Sequence, residues 1–265
     1  MSRRIATWLL FAAIGVPAAG AATTAAPAPT PVKREILALY DGAQEGDVEL
    51  TRIHRFAEMP LNYLGLIVRF RDVRGELPPP SEMSRYRGVL TWFVGSVPNT
   101  DAYLAWASRV SLMKMRYVIL GDIGVPVTST NLLAVNQLLG AAGLRHTGDS
   151  VTPALGTRVL QKDPGLVDFE CHLDPSLPDY PVIEPTPTAA RIGLTLEAPD
   201  SKRQAALVAI GPRGGYAALN YEFCHSRPPL YQGRWLINPF AFFRAAFGIG
   251  DAPIPDTTTA SGNRL

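Results

Sequence analysis

The stretch RGVLTWFVGSVPNTDAYLAWASRVSLMKMRYVILGD, residues 87–122, decides the fold. Arg87-Gly-Val-Leu-Thr-Trp-Phe-Val94 is a short apolar run without alternation, the pattern of a strand covered on both faces. Asn99 or Thr100 then caps a helix, because either side chain can accept from an orphan N–H of the first turn. That helix runs to about Leu112 and gathers Tyr103, Trp106 and Val110 on one face. Arg116-Tyr-Val-Ile-Leu-Gly121 is another buried strand, ending at Asp122.

The same grammar extends in both directions. Upstream, Glu35–Tyr40 reads as a first strand. Val48–Ala57 reads as a helix with Ile53, Phe56 and Ala57 inward, ended by Met59-Pro60. Leu64–Phe70 is a second strand, and Leu77-Pro-Pro-Pro80 forces a stiff, exposed connection. Downstream, Thr130 caps a helix whose Leu132, Val135, Leu139 and Ala142 share a face, with Gly143-Leu144 as its C-cap. Short strands alternating with helices predict an α/β, flavodoxin-like domain over residues 33–150: a mostly parallel sheet with helices on both faces.

Beyond residue 150 the pattern changes, and residues 151–238 read as an antiparallel β extension. Thr157–Lys162 and Leu166–Leu173 flank Asp163-Pro-Gly165, a hairpin signal. Arg191–Glu197 and Gln204–Gly211 flank a second turn, Ala198–Ser201. Asp174–Pro187 is proline-rich and reads as a surface loop. Gly214-Gly215 precedes a strand over Tyr216–Phe223. Residues 239–265 form an aromatic helix and a linker: Asn238 is a good N-cap, Pro239 suits the first helical position, and Phe240, Phe243, Ala246 and Phe247 share a face.

Composition bounds the function. Hydrophobic residues are 47% and charged residues 18% of the 265, which fits a packed core. Lys plus Arg number 25 against 23 for Asp plus Glu, and Arg3 and Arg4 belong to a leader, so no nucleic-acid partner is expected. Met1–Ala22 has the form of an export signal: a basic start, an apolar run over Ile5–Ala19, and small residues for cleavage. That run is too short for a helix to cross ~30 Å of hydrocarbon, so no membrane span is expected after cleavage. Residues 23–32 read as an Ala/Pro/Thr tether. The expected location is periplasmic or extracellular.

Candidate site residues come from position. In an open parallel sheet, ligands sit beyond the carboxyl ends of the strands. Asp41 and Asp122 end strands there, and Trp92 lies near the end of a third. The two carboxylates could serve acid–base chemistry or hold a cation. The blander account is that each Asp closes its own loop by a side-chain hydrogen bond. Arg52, with Asn62 further along, could meet an anionic or sugar ligand, though a solvated helix face with His54–Glu58 pairing is the commoner reason for such a group. Trp92, Trp106 and Trp235 could stack on sugar rings or fill the core. Cys171 and Cys224, each followed by His, allow a disulfide, free thiols or a Cys2His2 metal set; in an exported protein a disulfide is the simplest. No dinucleotide, flavin, nucleophile-elbow or H-E-x-x-H motif is present, so no cofactor, metal or catalytic residue is assigned.

Three runs resemble a known family: RWLINPFAFFRAAFG (234–248), DAPIPDTTTASGNRL (251–265) and TRIHRFAEMPLNYLGL (51–66). They are similar to the region before the deacetylase domain in Pel-type bacterial exopolysaccharide deacetylases. The resemblance implies an exported, non-catalytic module of a biofilm polysaccharide system that positions the polymer or a polysaccharide deacetylase domain beyond Leu265. The family's catalytic Asp motif is absent, so no catalytic residue carries over. Two other readings stand beside it. One is a stand-alone periplasmic carbohydrate-active enzyme built on Asp41 and Asp122. The other is a scaffold that contacts envelope or secretion proteins through Phe240, Phe243 and Phe247. Polysaccharide is the expected small partner.

Overall fold

The first parallel strand, β1 (Glu35–Tyr40), is apolar through its middle and buried there on both faces. It pairs in parallel with β2 (Ile67–Asp72) on one side and β3 (Gly88–Phe93) on the other. Next to β3 runs β4 (Arg116–Gly121), again parallel. The order β2-β1-β3-β4 is the flavodoxin-like one, in which the chain reverses direction across the sheet between β1 and β3. The structure, a computed structural model, describes residues 32–151, 157–170, 180–187, 191–198, 202–219 and 235–250.

The helices cover both faces, and adjacent residues of β3 show it. Trp92 packs its ring against Phe56 and Trp235, whereas Phe93 meets Tyr103 edge-on at 5.5 Å. Tyr103 belongs to α3 (Thr100–Leu112), whose N-cap Asn99 accepts from Ala102 N as expected. Beside it lies α4 (Leu132–Leu139), where Asn131 rather than Thr130 holds the N-cap position, its Oδ1 accepting from Thr128 N in the preceding turn instead of from the helix. Gly143 closes that segment in the left-handed region at φ 71°. On the opposite face α5 (Pro239–Ala246) buries Phe242 and Phe243 completely, with Asn238 accepting from Ala241 N.

Between β1 and β2 the chain makes a four-residue α1 (Gly42–Glu45), a π-turn over Ile53–Ala57, and α2 (Glu58–Tyr63). Met59-Pro60 does not end this helix. In the π-turn Glu58 N donates to Ile53 O, and Pro60 then falls in the first turn of α2, where its missing N–H costs least.

The antiparallel section is continuous with the parallel sheet. The strands are β5 (Leu144–Val151), β6 (Arg158–Lys162), β7 (Tyr180–Pro185), β8 (Arg191–Glu197), β9 (Gln204–Gly211) and β10 (Gly214–Ala217). The large sheet has the order β2-β1-β3-β4-β10-β9-β8-β6, with β10 parallel to β4 and antiparallel to β9. The expected β8–β9 hairpin is present. The expected hairpin around Asp163–Gly165 is not: β6 pairs with β8, and Val167 instead bridges to Ile237. Part of the expected loop 174–187 is β7, which pairs with β5 in a separate two-stranded sheet. Both strands of such a pair are edges, so the prolines of β7 displace no central hydrogen bond.

Candidate ligand-binding site

The carboxyl ends of β1, β3 and β4 bring three of the expected residues together. Asp41 is buried and its Oδ1 accepts from Ala43 N at 2.9 Å, capping α1. Asp122 accepts from Gly95 N at 2.6 Å, tying the loop after β3 to the end of β4. Gln44 Nε2 donates to Ser96 O at 3.4 Å, across the point where the chain reverses. Arg52 reaches the same region and donates from its backbone N (2.9 Å) and Nη1 (2.8 Å) to Glu45 Oε1. Burial raises the Glu45 carboxyl above its usual range even though Arg52 pulls it down. Burial likewise raises Asp122, against the opposing pull of Gly95 N and the Arg52 charge. Both Asp residues therefore hold loops in place.

Trp92 and Asn62 take no part in the hydrogen bonds just described. Trp92 is buried, its Nε1 donates to Leu219 O at 3.0 Å, and its ring sits between Phe56 and Trp235. Asn62 is half-buried on α2, and its backbone carbonyl accepts from Gly65 N. Trp106 and Trp235 are also buried. His54 Nδ1 pairs with Glu58 at 2.6 Å, as the helix spacing implied, and His146 Nδ1 accepts from Gly148 N at 2.8 Å. Among the described residues no group of three or more His, Cys, Asp or Glu could hold a metal ion. Cys171 and Cys224, the chain's two cysteines, lie outside the described residues with His172 and His225.

The aromatic face of α5 is not presented to a partner. Phe243 and Phe247 are 0% exposed, and half-buried Phe240 meets Tyr63 edge-on at 5.1 Å. An amphipathic helix and a core helix share one periodicity, and here the sheet beneath α5 takes the stripe.

A groove that sequence reasoning missed opens at the same carboxyl edge. It has a volume of about 410 Å³ and lies between Val73–Pro80, the segment after β2, and one face of α3. That face presents Asn99, Ala102, Tyr103, Trp106 and Arg109. Trp106 Nε1 donates to Pro78 O at 2.8 Å, pinning the proline segment to the helix. The signal was available: a buried indole needs an acceptor, and prolines leave their carbonyls free while holding a fixed φ. At the mouth, Asp72 Oδ1 accepts from Arg74 N (2.9 Å) and Gly42 N (3.3 Å), while Oδ2 accepts from Arg74 Nε (2.8 Å) and Nη2 (2.6 Å). Burial pushes Asp72 upward, but the bonds from Arg74 and Gly42 outweigh it and hold the carboxyl below its usual range.

No protein-family model matches the chain, and no curated protein matches it. Among solved structures it is similar to a glutamine amidotransferase from Thermotoga maritima, at 9% identity and a TM-score of 0.40, over 72% of this chain and 77% of that one. It is also similar to a glutamine amidotransferase from Methylobacillus flagellatus, at 14% identity and a TM-score of 0.39, over 72% and 71%. These likenesses concern the course of the chain, and the activity belongs to those proteins. The resemblance to Pel-type exopolysaccharide deacetylases is corrected by these findings: no family model matches the chain, and the solved structures found are not parts of polysaccharide deacetylases. The deacetylase-module and biofilm readings fall with it, and neither the carbohydrate-active enzyme nor the envelope scaffold gains support. Among the described residues no helix is long and apolar enough to cross a membrane.

Proposed function

We propose that this protein is an exported small-ligand-binding module, with its ligand in the groove between Val73–Pro80 and α3. The observation that carries the reading is the groove itself. Its volume of about 410 Å³ falls in the range of small-molecule sites, roughly 300–1,000 Å³. Its walls are held before any ligand arrives, one by three consecutive prolines and the Trp106–Pro78 bond, the other by a capped helix of 13 residues. Rigid walls reduce the ordering cost that binding must overcome. Export rests on the leader in Met1–Ala22.

Ala102 is exposed on α3 and lines the groove, so Ala102→Trp fills the site from a surface position. The test is a thermal-shift panel of mono- and disaccharides, amino acids, nucleotides and inorganic oxyanions on wild type and Ala102→Trp. Compounds that raise the wild-type melting temperature are expected to lose their effect on the variant, whose own melting temperature stays close to wild type. A compound that stabilises both proteins equally places the site elsewhere and refutes the reading.

A further inference from the structure

Two arginines line the groove from opposite walls, Arg74 on the segment after β2 and Arg109 on α3. Arg74 is built into its position. Asp72 grips its Nε and Nη2, and the pair packs so closely on the backbone of Gly42 that a Cβ there would fall on Arg74 Nη2 and Asp72 Oδ2. The guanidinium is thus oriented by a carboxylate that is itself tied to β1 and α1, with Nη1 left over. Arg109 is exposed, and among the described residues its side chain has neither an ion pair nor a hydrogen bond. Glu76, also exposed and also lining the groove, adds an acceptor, and Asn99 adds an amide at the head of α3.

We infer that the groove takes a small oxyanion that also carries hydroxyl groups, its phosphate or carboxylate held between Arg74 and Arg109. This rests on the groove being the binding site. Arginine gives a planar, two-point grip on phosphate and carboxylate that a lysine cannot reproduce. One arginine held by Asp72 and one without a partner form a site that is half-assembled and half-adaptable. A bare anion would leave Glu76 facing it as a like charge; hydroxyl groups give that carboxylate donors from which to accept. Sugar phosphates and uronates have this composition.

The test uses isothermal titration of the mature chain with four probes: glucuronate, glucose 6-phosphate, inorganic phosphate and glucose. At least one charged sugar is expected to bind, more tightly than inorganic phosphate, while glucose does not. The stronger of glucuronate and glucose 6-phosphate identifies the carboxylate or the phosphate source. Arg109→Gln is expected to weaken that probe about tenfold or more, the worth of a charged hydrogen bond. Arg109→Lys should keep part of the affinity, and added salt should weaken the wild type. Full affinity in both Arg109→Gln and Arg74→Gln, with loss only in Ala102→Trp, overturns the oxyanion inference and leaves the groove standing. Full affinity in Ala102→Trp as well overturns both. Failure of every charged probe to bind also overturns the inference.

Discussion

Phe243→Ala separates a core helix from a docking helix. The Phe243 ring is 0% exposed and lies within ring contact of Trp235 (6.1 Å), Phe242 (5.8 Å) and Phe247 (6.3 Å). Trp235 in turn meets Trp92 at 5.4 Å, so the cluster reaches from α5 to the carboxyl end of β3. Truncating a buried Phe costs about 3–5 kcal/mol through lost transfer energy and the cavity left behind. A surface substitution away from special contacts stays within about 0.5 kcal/mol. In a chain of this size each kcal/mol moves the melting temperature by roughly 2–4 °C. The expected loss is therefore about 4 kcal/mol, or roughly 8–16 °C, read by calorimetry with a urea titration for the free energy. A fall of less than about 2 °C would mean that the ring contributes no more than a surface side chain, and the packing argument for α5 would be wrong.

Two further perturbations test other parts of the structure. Gly248 has φ 60°, and a Cβ there would fall on the Arg116 guanidinium, whose Nη1 donates to Ala246 O at 3.0 Å. Gly95 has φ 76° with open space around it, so Gly95→Ala measures the left-handed strain alone, about 1–2 kcal/mol. Gly248→Ala should exceed it by about 1 kcal/mol, since Arg116 must also move, and equal costs in denaturant titrations would contradict the clash. Asp122 is raised by burial, so the folded state keeps its proton to higher pH than the unfolded chain does. Stability from this group is full at low pH and is lost as pH rises through the raised value. Asp122→Asn should flatten that fall in urea midpoints measured across the acidic range, and an unchanged slope would show that Asp122 is not its source.

The sequence shows the parallel half of the sheet because each signal there is local. The strands β1, β3 and β4 are continuous apolar runs, and Asn99 and Gly143 terminate elements by their own side chain or backbone. Pairings set by distant partners are not local. The strand β10 is short and begins with two glycines, and nothing in those residues says that it will lie parallel to β4, nearly a hundred positions earlier. In the same way, β7 carries prolines at Pro181 and Pro185 that mark it as a loop until β5 is seen beside it. The candidate site divides along the same line. Asp41 and Asp122 follow from strand ends, and the structure shows what each holds. Arg109 is one exposed arginine on a helix until the proline segment folds against α3.

Arg87 bears on how a site at the carboxyl edge relates to the rest of the molecule. It stands just before β3, at the amino edge of the sheet, and its three nitrogens serve two distant stretches. Nε donates to Phe247 O at 2.7 Å and Nη2 to Gly248 O at 2.6 Å, while Nη1 donates to Lys33 O at 3.2 Å. One guanidinium thus joins the residues just before β1 to the residues just after α5, and it meets carbonyls just past the C-terminus of that helix, where positive charge is favoured. The groove opens at the other edge, a strand of six residues away, or roughly 20 Å. If the two edges are independent, Arg87→Ala should raise amide exchange at Gly248 and Ile249 and leave that at Leu90 and Ile119 unchanged. Affinity for any ligand lost in Ala102→Trp should stay at the wild-type value. A matching loss of affinity in Arg87→Ala would show that the clamp and the groove are coupled through the sheet, against a reading in which rigid local walls alone shape the site.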